Sequence, residues 1–71
     1  MDLTKAIEGK EYIIDSIETD DEEMDSFLLS LGCFAGEPIT VISHRRGGYT
    51  VSIKDGRDSI DTALAKTISI K

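Results

Sequence analysis

Between Phe27 and Val41 the chain reads as an apolar helical pattern ending at Leu31, then Gly32, a short turn through Cys33, Phe34, Ala35 and Gly36, and Glu37-Pro38 leading into β-branched residues. A helix, its stop, a tight turn and a strand are thus specified within one short stretch. Met24, Phe27, Leu28 and Leu31 fall at i, i+3, i+4 and i+7, which lines one helix face and predicts that all four enter the core. Thr19 and Glu22 have capping-box spacing, with Asp20 as a competing cap, and Asp21, Glu22 and Glu23 sit where a helix N-terminus favours negative charge. Gly32 suits the left-handed conformation that ends a helix.

Strand signals flank this unit. Leu3 to Lys10 reads as a short edge element and a turn at Gly9, and Glu11 to Glu18 is β-rich and roughly alternating. Pro38 to Ser43 and Tyr49 to Lys54 read as strands joined by a loop at His44-Arg45-Arg46-Gly47-Gly48. Asp55-Gly56 suits a type I′ turn into Arg57 to Ile60. Asp61 then caps one helical turn, Thr62 to Lys66, before a last strand at Thr67 to Ile70. Five to six short strands are too few for a sandwich, and exposed edges are best removed by curling the sheet on itself. The expected fold is mainly β with one α-helix: a small, partly open barrel whose helix plugs one end, packing its apolar face on Ile13, Val41, Val51, Ile53 and Ile68.

With 71 residues the chain makes one domain, residues 1–71, and its core is necessarily small. The lone Cys33 excludes an internal disulfide and fits a reducing, cytoplasmic location. No apolar stretch reaches the length of a membrane span, and the N-terminus lacks the basic start and apolar run of a signal peptide, so direct membrane insertion is not expected. Residues 1–37 carry eleven acids against two lysines, residues 38–71 six bases against three acids, for a net charge of −6. The long-range field therefore opposes a nucleic-acid partner, although Arg45, Arg46, Tyr49, Lys54 and Arg57 could form a local basic patch.

Catalytic chemistry is not expected. The single His44 lies in a loop beside two arginines, and Cys33 follows a helix C-terminus, where the dipole disfavours a thiolate. One Cys and one His about ten residues apart do not make a transition-metal site. The carboxylates Asp20, Asp21, Glu22, Glu23 and Asp25 are weak metal candidates, and capping and solvation account for them. Gly47-Gly48 lacks the spacing and the following helix of a phosphate loop, so no cofactor is expected. With four aromatics and no tryptophan, a polyproline groove is poorly supplied.

The Leu28-Leu29-Ser30-Leu31-Gly32 segment followed by Gly36, together with Leu3, Gly9, Tyr12 to Ile17, Gly56, Ile60, Ala65, Ile68 and Ile70, resembles the ferrous-iron transport protein A (FeoA-like) family of small SH3-like barrels. Ala35 and Pro38 depart from that family's frequent proline before the second glycine, and Met24, Asp25 and Ser26 stand where the family often has an arginine. The resemblance implies a non-enzymatic adaptor of ferrous iron uptake that acts by protein contact on the membrane GTPase permease, ferrous-iron transport protein B. A similar barrel forms the C-terminal domain of some metal-dependent repressors, so the alternative is a metal-binding or metal-sensing regulatory module. On the helical wheel Leu29 lies off the core stripe. It and the turn residues Cys33, Phe34 and Glu37 are therefore the expected partner-binding surface.

Overall fold

A computed structural model describes all of residues 1–71. The elements are a 3-10 turn at Leu3–Lys5, β1 (Glu11–Ile17), α1 (Glu22–Ser30), β2 (Pro38–Arg45), β3 (Gly48–Ile53), β4 (Gly56–Asp61), α2 (Thr62–Thr67) and β5 (Ile68–Ile70). The strands form one antiparallel sheet in the order β4-β3-β2-β1-β5. β1 is the joint of this sheet. Its first half pairs with β2, through Glu11 to Ile13, and its second half pairs with β5, through Ile14 to Ile17.

A register shift between Ile14 and Ser16 in β1, and another between Val41 and Ser43 in β2, add the local bend and twist of β-bulges. The sheet thereby curls around a single core without closing, since β4 and β5 do not pair. This is the partly open barrel expected from the strand pattern, with five strands and a second short helix. The β5 edge is covered by the N-terminus, where Asp2 bridges Ser69 and the Ile70 N–H donates to the Met1 carbonyl at 2.7 Å.

The core contains Leu3, Tyr12, Ile14, Leu28, Cys33, Ile39, Val41, Tyr49, Val51, Ile53, Ile60, Ala65, Ile68 and Ile70, and no buried polar side chain. In β1 the inward phase differs from expectation by one residue: Tyr12 and Ile14 point in, and Ile13 is only half-buried. Three consecutive apolar residues leave a period-2 pattern with two solutions, and the pairing of Ile13 with Pro38 selects this one. The Tyr12 hydroxyl is satisfied by the Ile7 N–H at 3.0 Å.

Two turns also differ from expectation. The β2–β3 loop is the two residues Arg46-Gly47, and Gly48 already pairs with Arg45 and with Asp61. Gly48 is required by close packing, because a Cβ there would lie 2.8 Å from the Ile60 carbonyl oxygen. The β3–β4 turn is Lys54-Asp55, with Gly56 paired to Ile53. Lys54 takes the positive φ of 56° and Asp55 does not, so the turn is not type I′, which needs both central residues there.

Candidate functional site

α1 and the corner after it carry three of the chain's six exposed large hydrophobic residues, Phe27, Leu29 and Phe34. The helix begins two residues later than the capping-box spacing suggests. Asp21 is its N-cap, accepting from the Glu23 and Met24 N–H groups at 2.9 and 3.2 Å, while Thr19 Oγ1 accepts from the Asp21 N–H. Asp21, Glu22, Glu23 and Asp25 are thereby the cap and first turns of a helix. No three His, Cys, Asp or Glu side chains anywhere in the structure group into a metal-holding cluster, so the weak metal candidates Asp20, Asp21, Glu22, Glu23 and Asp25 do not converge on a site.

The C-terminus is a Schellman motif. Gly32 has φ +95°, its N–H donates to the Leu29 carbonyl, and the Cys33 N–H donates to the Leu28 carbonyl, both at 3.0 Å. In this motif the residue after the glycine commonly joins the core beside the last helical turn. Cys33 does so. It is 1% exposed, and burial, with the Asp58 carboxylate adding to the effect, pushes its thiol up to about 11. The expectation that Cys33 belongs to a contact surface is therefore wrong. It is a core residue, protonated at neutral pH, and His44 is exposed at the other end of β2, where it stacks on Tyr49 with ring centroids 4.2 Å apart.

The helix face is divided differently from the wheel reading. Leu28 is fully buried, Leu31 packs partly against the core and Met24 is half-buried. Phe27, expected in the core, is 44% exposed. The reason is geometric: α1 has nine residues and meets the core through its last turn, so only the residue pointing straight at the sheet is covered. Leu29 (39% exposed) and Phe34 (45%) are exposed as expected.

The corner itself is a tight turn, with the Glu37 N–H donating to the Phe34 carbonyl at 3.0 Å and Gly36 at φ +90°. Positive φ at the third residue is the type II pattern, which places Ala35 where that turn accepts proline. The corner is fastened to β1 by two further bonds, Gly36 N–H to the Ile14 carbonyl at 2.8 Å and Ile14 N–H to the Glu37 carbonyl at 2.9 Å. Beside it, Lys54 Nζ lies 5.7 Å from the Phe34 ring centroid and 3.9 Å from Glu37 Oε1. Phe34, Glu37 and Lys54 thus form one cluster, and Lys54 is a member that the linear sequence gave no reason to place there.

The expected basic patch is not one surface. Arg45 and Arg46 sit at the β2–β3 turn and Lys54 and Arg57 at the β3–β4 turn, which lie at opposite ends of β3. Tyr49, which would supply the aromatic, is buried.

Among known families, the FeoA domain model matches residues 1–71, the whole chain. The chain belongs to the FeoA family. An iron uptake regulatory protein FeoA crystal structure superimposes with a TM-score of 0.89 at 22% identity, over 100% of this chain and 95% of that one. The Stenotrophomonas maltophilia FeoA complexed with zinc, described as a procaryotic SH3 domain protein, gives 0.88 at 16% identity, over 100% and 89%. A manganese-dependent transcriptional repressor in complex with manganese gives 0.91 at 20% identity, over 100% of this chain and 35% of that one. These likenesses establish the SH3-like fold. No protein of curated function matches the chain by sequence.

Proposed function

We propose that this FeoA-family domain is a non-enzymatic accessory protein of ferrous iron uptake, acting at the cytoplasmic face of the membrane by contact with the ferrous-iron permease, ferrous-iron transport protein B. Family membership supports the iron-uptake role. No helix here is long and apolar enough to cross a membrane. The observation that carries the contact reading is the exposure of Leu29 and Phe34, with Phe34 beside the Glu37–Lys54 ion pair. An aromatic on a turn that is bonded to β1, with a charged rim, matches how binding surfaces place their anchors.

NMR titration with the permease's cytosolic GTPase domain tests this. Shift changes should cluster at Leu29, Phe34 and Glu37 and vanish in the Phe34→Ser variant. Changes confined to Arg45 to Tyr49 would reject this face.

A second reading, a metal-binding or metal-sensing module, draws on the relatives solved with zinc and manganese. It requires site-specific broadening around Asp20 to Asp25 on adding Mn²⁺, whereas weak broadening spread over all acidic residues rejects it.

A further inference from the structure

The exposure of Phe27 is not explained by the corner, because residues 27 and 29 point about 160° apart around a helix axis. Phe27 instead opens onto a groove of about 350 Å³ between α1 and α2. Its apolar lining is Met24, Phe27, Ala63 and Leu64, and its acidic rim is Asp21, Glu23 and Asp61, with no Lys or Arg among the lining residues.

Two of the rim acids are helix caps. Asp21 Oδ1 accepts from the first turn of α1, and Asp61 Oδ1 accepts from the Leu64 N–H of α2 at 2.8 Å. Capping holds each carboxylate in place through one oxygen, and Oδ2 of each has no hydrogen bond within the chain. Nor does any of the three rim acids form an ion pair. Capping explains why the acids are there, but not why Phe27 lies open between them, beside the half-buried Met24 and Leu64.

We propose that this groove docks a basic amphipathic segment of a protein partner, an apolar side chain seated on Phe27 and its flanking Lys or Arg residues meeting Asp21, Glu23 and Asp61. Charge complementarity selects the occupant. The rim carries three carboxylates and no Lys or Arg, and two of them, Asp21 and Glu23, lie in the half of the chain with eleven acids and two lysines, so it repels nucleic acid and anionic membranes alike. A free cation has no use for the apolar floor. The groove lies on the other flank of α1 from Leu29, so it stands independently of the corner as the permease contact.

The test is NMR titration of the full chain with a synthetic amphipathic leucine/lysine peptide, and with the same peptide carrying glutamine in place of lysine. The lysine peptide should shift Met24, Phe27 and Leu64 and bind more weakly as salt is raised, and the glutamine peptide should bind at least about tenfold more weakly. Phe27→Ser should weaken binding about tenfold, as loss of an anchoring aromatic does. Glu23→Lys, at a residue that caps nothing, should weaken it severalfold, and the corner variants Leu29→Ser and Phe34→Ser should leave it unchanged. Thermal melts confirm that each variant folds. The proposal is overturned if the peptide does not bind, if shifts spread over all acidic surfaces or fall on the Leu29 to Phe34 corner, or if Phe27→Ser binds as tightly as the parent chain.

Discussion

Replacing Leu28 by Ala should cost far more than replacing its neighbour Phe27, although Phe27 is the larger side chain. Leu28 is completely buried and is the only fully buried residue of α1. A buried Leu→Ala change costs about 2–5 kcal/mol through lost transfer energy and the cavity left behind. A chain of this length holds roughly 4–10 kcal/mol in total. With a urea slope of about 1 kcal/mol/M, a loss of about 3 kcal/mol lowers the midpoint by about 3 M and Tm by roughly 12–24 °C. Phe27→Ala, at a side chain nearly half exposed, should cost about 1 kcal/mol or less.

The same reasoning gives a second readout. A helix of nine residues does not persist alone, and the Cys33 N–H is bonded to the Leu28 carbonyl, so freeing α1 also uncovers the thiol. In native buffer, Leu28→Ala should react with a chromogenic disulfide reagent much faster than the parent chain, and Phe27→Ala should not. Equal urea midpoints for the two variants, or an unchanged thiol rate in Leu28→Ala, would refute the single-anchor account of α1.

Three further outcomes are expected. Gly48→Ala should destabilise by about 1–3 kcal/mol, since its Cβ meets a backbone carbonyl at 2.8 Å that cannot swing aside, and a urea melt with an unchanged midpoint would contradict the register drawn for β3 and β4. Ala35→Pro should stabilise by about 0.4–1 kcal/mol, because Ala35 occupies the proline-compatible position of its turn and its N–H bonds to no backbone carbonyl; a lower Tm would refute the turn assignment. For Cys33, both states hold the thiol proton below its ordinary value of 9.0, and above that only the unfolded chain ionises until the folded value of about 11 is reached. Stability therefore falls as pH rises from about 9 to about 11, by about 2 kcal/mol from this group, and the urea midpoint should fall less over that range in Cys33→Ala than in the parent chain.

Much of the fold is legible in local chemistry. Met24 to Leu31 carries a helical repeat, Gly32 its stop, Asp61 a second cap, and the β-branched runs their strands, because each of these signals acts over a few residues of backbone. What the chain alone left undecided are choices among equivalent local solutions. Tyr12-Ile13-Ile14 permits two inward phases, and pairing with β2 selects Tyr12 and Ile14. Thr19, Asp20 and Asp21 can each cap a helix, and the position of the first turn selects Asp21.

For the candidate surfaces, the sequence by itself determined that Leu29 and Phe34 stand off the core stripe, since their placement follows from helix geometry and a turn. Only the tertiary structure decided that Cys33 is buried and Phe27 open. The helical repeat assigns Phe27 and Leu28 to one face with equal right, and the nine-residue helix covers only the one aimed at the sheet. Strand direction likewise separates Arg45 and Arg46 from Lys54 and Arg57, and brings Lys54 beside Phe34 and Glu37. These are long-range juxtapositions, fixed by how a curled sheet wraps its core rather than by any neighbouring residue.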